Sequence, residues 1–281
     1  MASTSAFDDK IAIVTGAASG IGRALCEEMG RRGAVIVATD INQKGAEQVA
    51  STVVSAGGKA EAALLDVTRA EDVQKLVEET ASNHGRLDYI FNNAGIAVAG
   101  EVYEMSLDHW RRIIDINLWG VIYGTHAAYP IMVKQRSGHI VNVASTAGLV
   151  AFPTCTPYST TKHAVVGLSS SLREEAREFG VKVSAVCPGF IKTNIFEAAV
   201  MVNASRDGLV SLTGETGIDV DKAALKILRG VERNQRIINF PGQARLFWLL
   251  HRLHPDTLGF VYRRMVKNLR SPSLTSELET E

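Results

Sequence analysis

Short, wholly apolar runs alternate along the chain with longer amphipathic stretches. The runs Lys10–Thr15, Ala34–Asp40, Ala60–Asp66, Leu87–Asn92, His139–Ser145, Lys182–Cys187 and Arg236–Phe240 predict seven strands. Several are rich in Val, Ile and Leu from end to end, as strands covered on both faces are. Between them lie segments of helical length, including Ile21–Arg32, Gln43–Ala56, Ala70–His84, Leu107–Arg136 and Tyr158–Phe179. Strand, helix and strand repeated this often imply right-handed crossovers and a doubly wound parallel α/β sheet. No short repeat or low-complexity linker interrupts the pattern, and Gly57-Gly58, Pro153, Pro157 and Pro188-Gly189 punctuate loops within one domain.

Composition narrows the function classes. The 281 residues carry 30 basic and 30 acidic side chains, so no global field recruits nucleic acid. The opening segment MASTSAFDDK is polar and holds two aspartates, which disqualifies it as the apolar core of a signal peptide. No apolar run approaches the roughly 18 residues that span a bilayer. Cys26, Cys155 and Cys187 are scattered and lack metal-ligand spacing, so they read as reduced thiols in a cytoplasmic compartment.

The first strand runs directly into TGAASGIG, Thr15 to Gly22. Glycine suits such a turn because the backbone needs open angles, phosphate must approach main chain closely, and the helix must press on the strand. The helix from Ile21 then directs free N–H groups and its positive dipole end at phosphate. Gly16, Ser19, Gly20, Ile21 and Gly22 are therefore candidate nucleotide contacts. Asp40 closes the second strand 18 residues after Gly22, near the spacing at which a carboxylate accepts from the adenosine ribose hydroxyls. No Lys or Arg occurs within Gly16–Gly20 or immediately after Asp40 to offset a 2′-phosphate. The reading is NAD(H) in preference to NADP(H), and a helix-capping role for Asp40 is compatible with it.

Tyr158 and Lys162 stand four residues apart in a predicted helix, so phenol and ammonium share one face. A fixed cation favours phenolate and lowers a tyrosine pKa from ~10, tuning Tyr158 to exchange a proton with an alcohol or carbonyl oxygen. Ser145 ends the strand HIVNVAS thirteen residues upstream, at the carboxyl edge where such sheets bind ligands, and can hold a substrate oxygen.

Together the glycine turn, Asp66-Val67, the NNAG run Asn92–Gly95, Asn117, Ser145, Tyr158, Lys162 and Pro188-Gly189 resemble the short-chain dehydrogenase/reductase superfamily from about Lys10 to Thr193, with the strand near Arg236–Phe240. The resemblance implies a single Rossmann-type sheet of seven mainly parallel strands in the order 3-2-1-4-5-6-7, and oxidoreductase chemistry. It implies Tyr158 as the acid/base, Ser145 orienting the substrate oxygen, and Lys162 on the nicotinamide ribose. Asn117 would hold a water that relays the proton from Lys162. Asp66 and Val67 would line the adenine with Asn92 nearby, Gly95 would sit at the cofactor, and Pro188, Ile191 and Thr193 would seat the carboxamide. NNAG can equally be a tight turn that braces the sheet. Ala144 stands where the family commonly has a serine, without disturbing the spacing of Ser145 to Tyr158. The resemblance also implies a homodimer or homotetramer formed through Leu107–Arg136 and Tyr158–Phe179.

Substrate choice falls to Val98–Tyr103, Gly148–Pro157 and the segment after Thr193. Val98, Leu149, Val150, Phe152, Pro153, Cys155, Ile195, Phe196, Val200 and Met201 make that wall apolar, which suits a steroid, retinoid, terpenoid or long-chain or aromatic alcohol, unless they only pack the lid on the body. The expected organisation is a dehydrogenase domain over residues 1–243 with a mobile lid at 194–217, a helical extension at 244–270 and a disordered tail at 271–281. Residues 244–270 hold six cations against Asp256 alone, interleaved with apolar side chains and broken at Pro255 into two helices. They read either as a peripheral, lipid-facing surface or, preferably, as a pocket wall or subunit contact. The competing functions are an NADPH-dependent carbonyl reductase, which Asp40 disfavours, and a non-catalytic NAD-binding sensor or scaffold, which would have no need of the proton-relay set.

Overall fold

The computed structural model describes residues 5–195, 197–206 and 217–269. Its strands are β1 (Ile11–Thr15), β2 (Val35–Asp40), β3 (Lys59–Leu64), β4 (Tyr89–Asn92), β5 (Val98–Gly100), β6 (Gly138–Val143), β7 (Val181–Pro188), β8 (Val200–Val202) and β9 (Ile237–Phe240). The helices are α1 (Gly20–Arg31), α2 (Gln43–Ser55), α3 (Ala70–His84), α4 (Leu107–Ile114), α5 (Gly120–Gln135), α6 (Thr156–Ala176), α7 (Val220–Glu232), α8 (Gly242–Leu253) and α9 (Gly259–Leu269). Seven strands form one sheet in the order β3-β2-β1-β4-β6-β7-β9, every pairing parallel. This is the doubly wound topology expected from the alternating pattern.

Strand β1 shows why its sequence is apolar throughout. Ala12 and Val14 face a cluster with Leu25 and Met29 of α1 and Ile227 and Leu228 of α7. Ile11 and Ile13 face the other side, where Val73 and Val77 of α3 and Met132 of α5 close over them. With a side-chain period of two and a helical layer on each face, neither set can be polar. Each fully buried Ile or Leu contributes roughly 1.5–3 kcal/mol from water exclusion.

The structure departs from the sequence expectation in two places. The stretch Leu107–Arg136 is broken by a π-helical turn at Asp115–Trp119 between α4 and α5. The strands β5 and β8, three residues each, form a separate parallel pair where no strand is expected, β8 lying within the expected lid, because runs this short carry no periodic signal. No helix among the described residues is long and apolar enough to cross a membrane. The strand order reverses between β1 and β4, and ligands bind in the crevice that such a switch opens beyond the carboxyl ends of the strands.

Candidate active site

One cavity of about 700 Å³ opens at that crevice. Gly16, Ser19, Gly20 and Ile21 border it at one end. Gly16 and Gly20 adopt φ of +66° and +53°, where a side chain is strained. A Cβ on Gly22 would lie 2.1 Å from the Gly16 carbonyl oxygen, so Gly22 lets α1 close on the turn and does not itself border the cavity. The Ser19 hydroxyl makes no cap bond, and Arg23 is the first residue to donate back, to the Ser19 carbonyl. The amides before Arg23 have no acceptor within the helix and are available to an anion.

Asp40 borders the cavity and braces the turn: its carboxylate accepts from the Ala18 N–H at 3.0 Å and the Asn42 N–H at 2.9 Å. The cap of α2 is Asn42, which accepts from the Gly45 N–H, so Asp40 is free of that duty. Asp66 holds its loop by accepting from the amide and hydroxyl of Thr68, and it borders the same cavity with Val67.

At the centre stand Ser145, Tyr158 and Lys162. Pro157, tolerated in the first turn of a helix, lets α6 begin at Thr156 and places Tyr158 and Lys162 on its buried face. The Lys162 Nζ donates to the Val143 carbonyl at 2.8 Å and lies 5.6 Å from the centre of the Tyr158 ring. Ser145 and Tyr158 share a hydrogen bond, and the Ser145 hydroxyl also accepts from the Ala147 N–H at 3.1 Å. The electrostatics differ from the expectation of a cation-lowered phenol. Burial pushes Tyr158 up to about 12, against which the bond from Ser145 is the smaller, opposing effect. Burial also brings Lys162 down to about 8, so the ammonium is itself penalised.

Asn117 lies in the π turn, fully buried, with both ends of its amide committed to Ile96: Oδ1 accepts the N–H at 2.8 Å and Nδ2 donates to the carbonyl at 2.9 Å. Its side chain therefore fixes the loop beside Gly95, with one further donor and one further acceptor position left on the amide. Gly95 borders the cavity between the Asn117 amide and Lys162, where a Cβ would lie 3.2 Å from Asn117 Oδ1 and 3.6 Å from Lys162 Nζ. Pro188, Ile191 and Thr193 border it after β7.

Asn92 and Val98 lie away from the cavity, as do Leu149, Pro153, Cys155, Val200 and Met201 of the expected wall. Asn92 pairs across strands with Asn142, donating at 2.8 Å, and reaches Thr125 behind the sheet. Its neighbour Asn93 faces the turn instead, donating to the carbonyls of Thr15 and Gly16. Alternation along a strand puts successive side chains on opposite faces, and that separates the two asparagines. Val98 is fully buried in β5, packed with Tyr158 and Cys155 behind the wall. Val150, Phe152 and Ile195 do border the cavity; Phe196 and residues 207–216 of the expected lid lie outside the described residues, as does the 271–281 tail.

The wall opposite Tyr158 comes from the C-terminal helices. Phe247 of α8, Leu258, and Val261, Tyr262 and Met265 of α9 close the cavity. The charge pattern of 244–270 gave no sign of which apolar residues turn inward.

A model of the short chain dehydrogenase family matches residues 10–202. The chain belongs to this family. Among the family's oxidoreductases, a cyclohexanol dehydrogenase of Acinetobacter sp. is 40% identical over 202 residues, covering 70% of this chain and 80% of its own. The oxidoreductase SadH of Mycobacterium tuberculosis is 32% identical over 267 residues, covering 93% of this chain and 95% of its own, a span that takes in α8. A short-chain dehydrogenase/reductase of Burkholderia phymatum, crystallised with NAD, superposes with a TM-score of 0.82 at 29% identity, covering 89% of this chain and 95% of that one.

Proposed function

We propose that this oxidoreductase transfers a hydride between NAD(H) and a secondary alcohol or ketone on an apolar molecule, with Tyr158 as the acid/base. The observation that carries this reading is the continuity of one cavity from Asp40, past the glycine turn and Tyr158, to an apolar wall. The residues fit a nicotinamide dinucleotide. Glycines leave main chain open to the pyrophosphate, and Asp40 waits at the ribose end. Among the described residues bordering the cavity, Lys162 is the sole cation, and it sits at the Tyr158 end. A 2′-phosphate beside Asp40 would meet like charge and then Ile41, which favours NAD. The relative crystallised with NAD supports the same choice.

When bound, the nicotinamide supplies the carbon that accepts or gives up the hydride. The chain supplies the rest. Ser145 holds the substrate oxygen, Tyr158 exchanges its proton, and Lys162, held by the Val143 carbonyl, anchors the ribose. Asn117 fixes the loop at Ile96, which would help hold the nicotinamide. Held as a phenol, Tyr158 is ready at neutral pH to donate to a carbonyl, while alcohol oxidation gains as pH rises. Val150, Phe152, Phe247, Val261 and Met265 exclude water and offer little to a sugar. The relative named for cyclohexanol, a secondary alcohol on an apolar ring, points the same way. Self-association through α4–α6 is supported by Leu107 and by Trp119, exposed and stacked on Tyr123.

The test is reduced-nicotinamide production from a panel of apolar secondary alcohols, cyclohexanol included, with NAD⁺ and NADP⁺ in parallel and Tyr158→Phe as control. Turnover with NAD⁺ that falls at least about a thousandfold in the variant is expected. Preference for NADP⁺ would replace the NAD reading with an NADPH-dependent reductase. Tight NAD⁺ binding without turnover on apolar or polar panels would leave a binding protein.

A further inference from the structure

The two helices that close the cavity have a second apolar face. Along α8, Leu246, Leu249, Leu250 and Leu253 recur at i, i+3, i+4 and i+7 and form one stripe, and all four are exposed, Leu253 at 82%. Ala244 and Trp248 lie on the opposite, inward side. On α9, Phe260 is 70% exposed while Val261, Tyr262 and Met265 turn to the cavity. Exposed Arg245, Arg252, Arg263, Arg264 and Lys267 surround these apolar groups, and Asp256 is the one acid between Gly242 and Leu269. A soluble surface seldom shows contiguous leucines of this kind without a partner.

We propose that the outer face of α8 and α9 docks on an anionic phospholipid surface. Leucines and Phe260 enter the headgroup boundary while the five cations meet lipid phosphate and carboxylate. Charge decides the occupant. A second copy pairing through this face would do so about a twofold axis and set each cationic patch against its own image. A neutral apolar partner would leave four of the five cations without use, Arg252 being engaged over the Trp248 ring. An anionic bilayer satisfies both sets, and the lack of a spanning helix among the described residues makes the contact peripheral. Because α8 and α9 also wall the cavity, the docked enzyme would take an apolar alcohol directly from lipid. That route rests on the proposed function; the docking surface does not.

The experiment is flotation of the full chain with vesicles of phosphatidylcholine alone or with added phosphatidylglycerol, at low and high salt. The partner measurement is Leu249→Glu/Leu253→Glu, whose exposed sites leave folding intact, as circular dichroism would verify. Expected is binding to the anionic vesicles, weaker by about fivefold for each cation replaced by glutamine, released by high salt, and lost in the double variant. Absence of binding to anionic vesicles at low salt overturns the proposal, whatever the enzyme assay shows. So does binding that the leucine variant leaves unchanged. Self-association that the variant abolishes, with no vesicle binding, would assign the face to a second copy and likewise overturn it.

Discussion

Replacing Lys162 by methionine separates what this residue costs the fold from what it gives the chemistry. The ammonium is buried, and its fall from the ordinary 10.5 to about 8 corresponds to about 3 kcal/mol of penalty on the charged form. The sign follows from linkage: between about pH 8 and 10.5 the unfolded chain holds a proton that the folded chain has lost, so stability climbs with pH across that window. Below pH 8 the penalty is present in full. Methionine matches the stem in size and removes the charge, but it leaves the Val143 carbonyl without its 2.8 Å donor, which costs about 1–2 kcal/mol. The variant should therefore be about 1–2 kcal/mol more stable than the parent at pH 7 in urea unfolding without added nucleotide. That advantage should shrink by about 2 kcal/mol by pH 9.5, while turnover falls at least about a hundredfold. A variant less stable than the parent by 2 kcal/mol, or a difference that ignores pH, would refute the assignment of a buried, penalised cation.

Further predictions test other parts of the site. Because burial holds Tyr158 near 12, initial rates of alcohol oxidation should rise with pH by up to about tenfold per unit from pH 6 to 9, while ketone reduction stays level; a flat oxidation profile would contradict the protonated phenol. Gly124→Ala would set a Cβ 2.0 Å from Asn92 Oδ1 and should cost about 1–3 kcal/mol in urea unfolding, whereas Gly167→Ala on α6, with open space around it, should stabilise by about 0.5–1 kcal/mol. Asp40→Asn should narrow the preference of kcat/KM for NAD⁺ over NADP⁺ by about tenfold, read by parallel assays, since it removes the charge facing a 2′-phosphate. Cys26, Cys155 and Cys187 are buried and pushed up as thiols, the last two to about 12, so iodoacetamide at pH 8 should label none until the protein is denatured, as intact mass would show.

The sheet could be read from the sequence because both of its faces are covered. Wholly apolar runs such as IAIVT leave little other structure available, and the seven strands fall within a residue or two of expectation. The glycine turn and the Tyr158–Lys162 spacing were equally readable, since each is local: a strand-to-helix turn and one helical repeat. Of the two roles open to NNAG, Asn92 takes the bracing one, because strand alternation sends it to Asn142 and sends Asn93 to Gly16. The phenol of Tyr158 went the other way from expectation because burial is a tertiary property, whereas the nearby cation is visible in the spacing. The inward residues of α8 and α9 escaped for a related reason. Both sides of these helices are apolar, so periodicity marks no single buried face.

The π turn at Asp115–Trp119 works as a mechanical joint as well as a kink. By shifting α5 out of phase with α4, it sets the Asn117 amide against the loop at Ile96, while Gly120, one residue on, lies so close to Val67 that a Cβ there would meet it at 2.9 Å. The side of the crevice bordered by Asp66 and Val67 and the side bordered by Gly95 and Ile96 are thereby hung from one short piece of backbone. A single insertion or deletion in those five residues would rotate α5 by roughly 100° relative to α4. Both halves of the crevice would then fall out of register together, so the length of this joint should resist change more strictly than the identity of most residues in it.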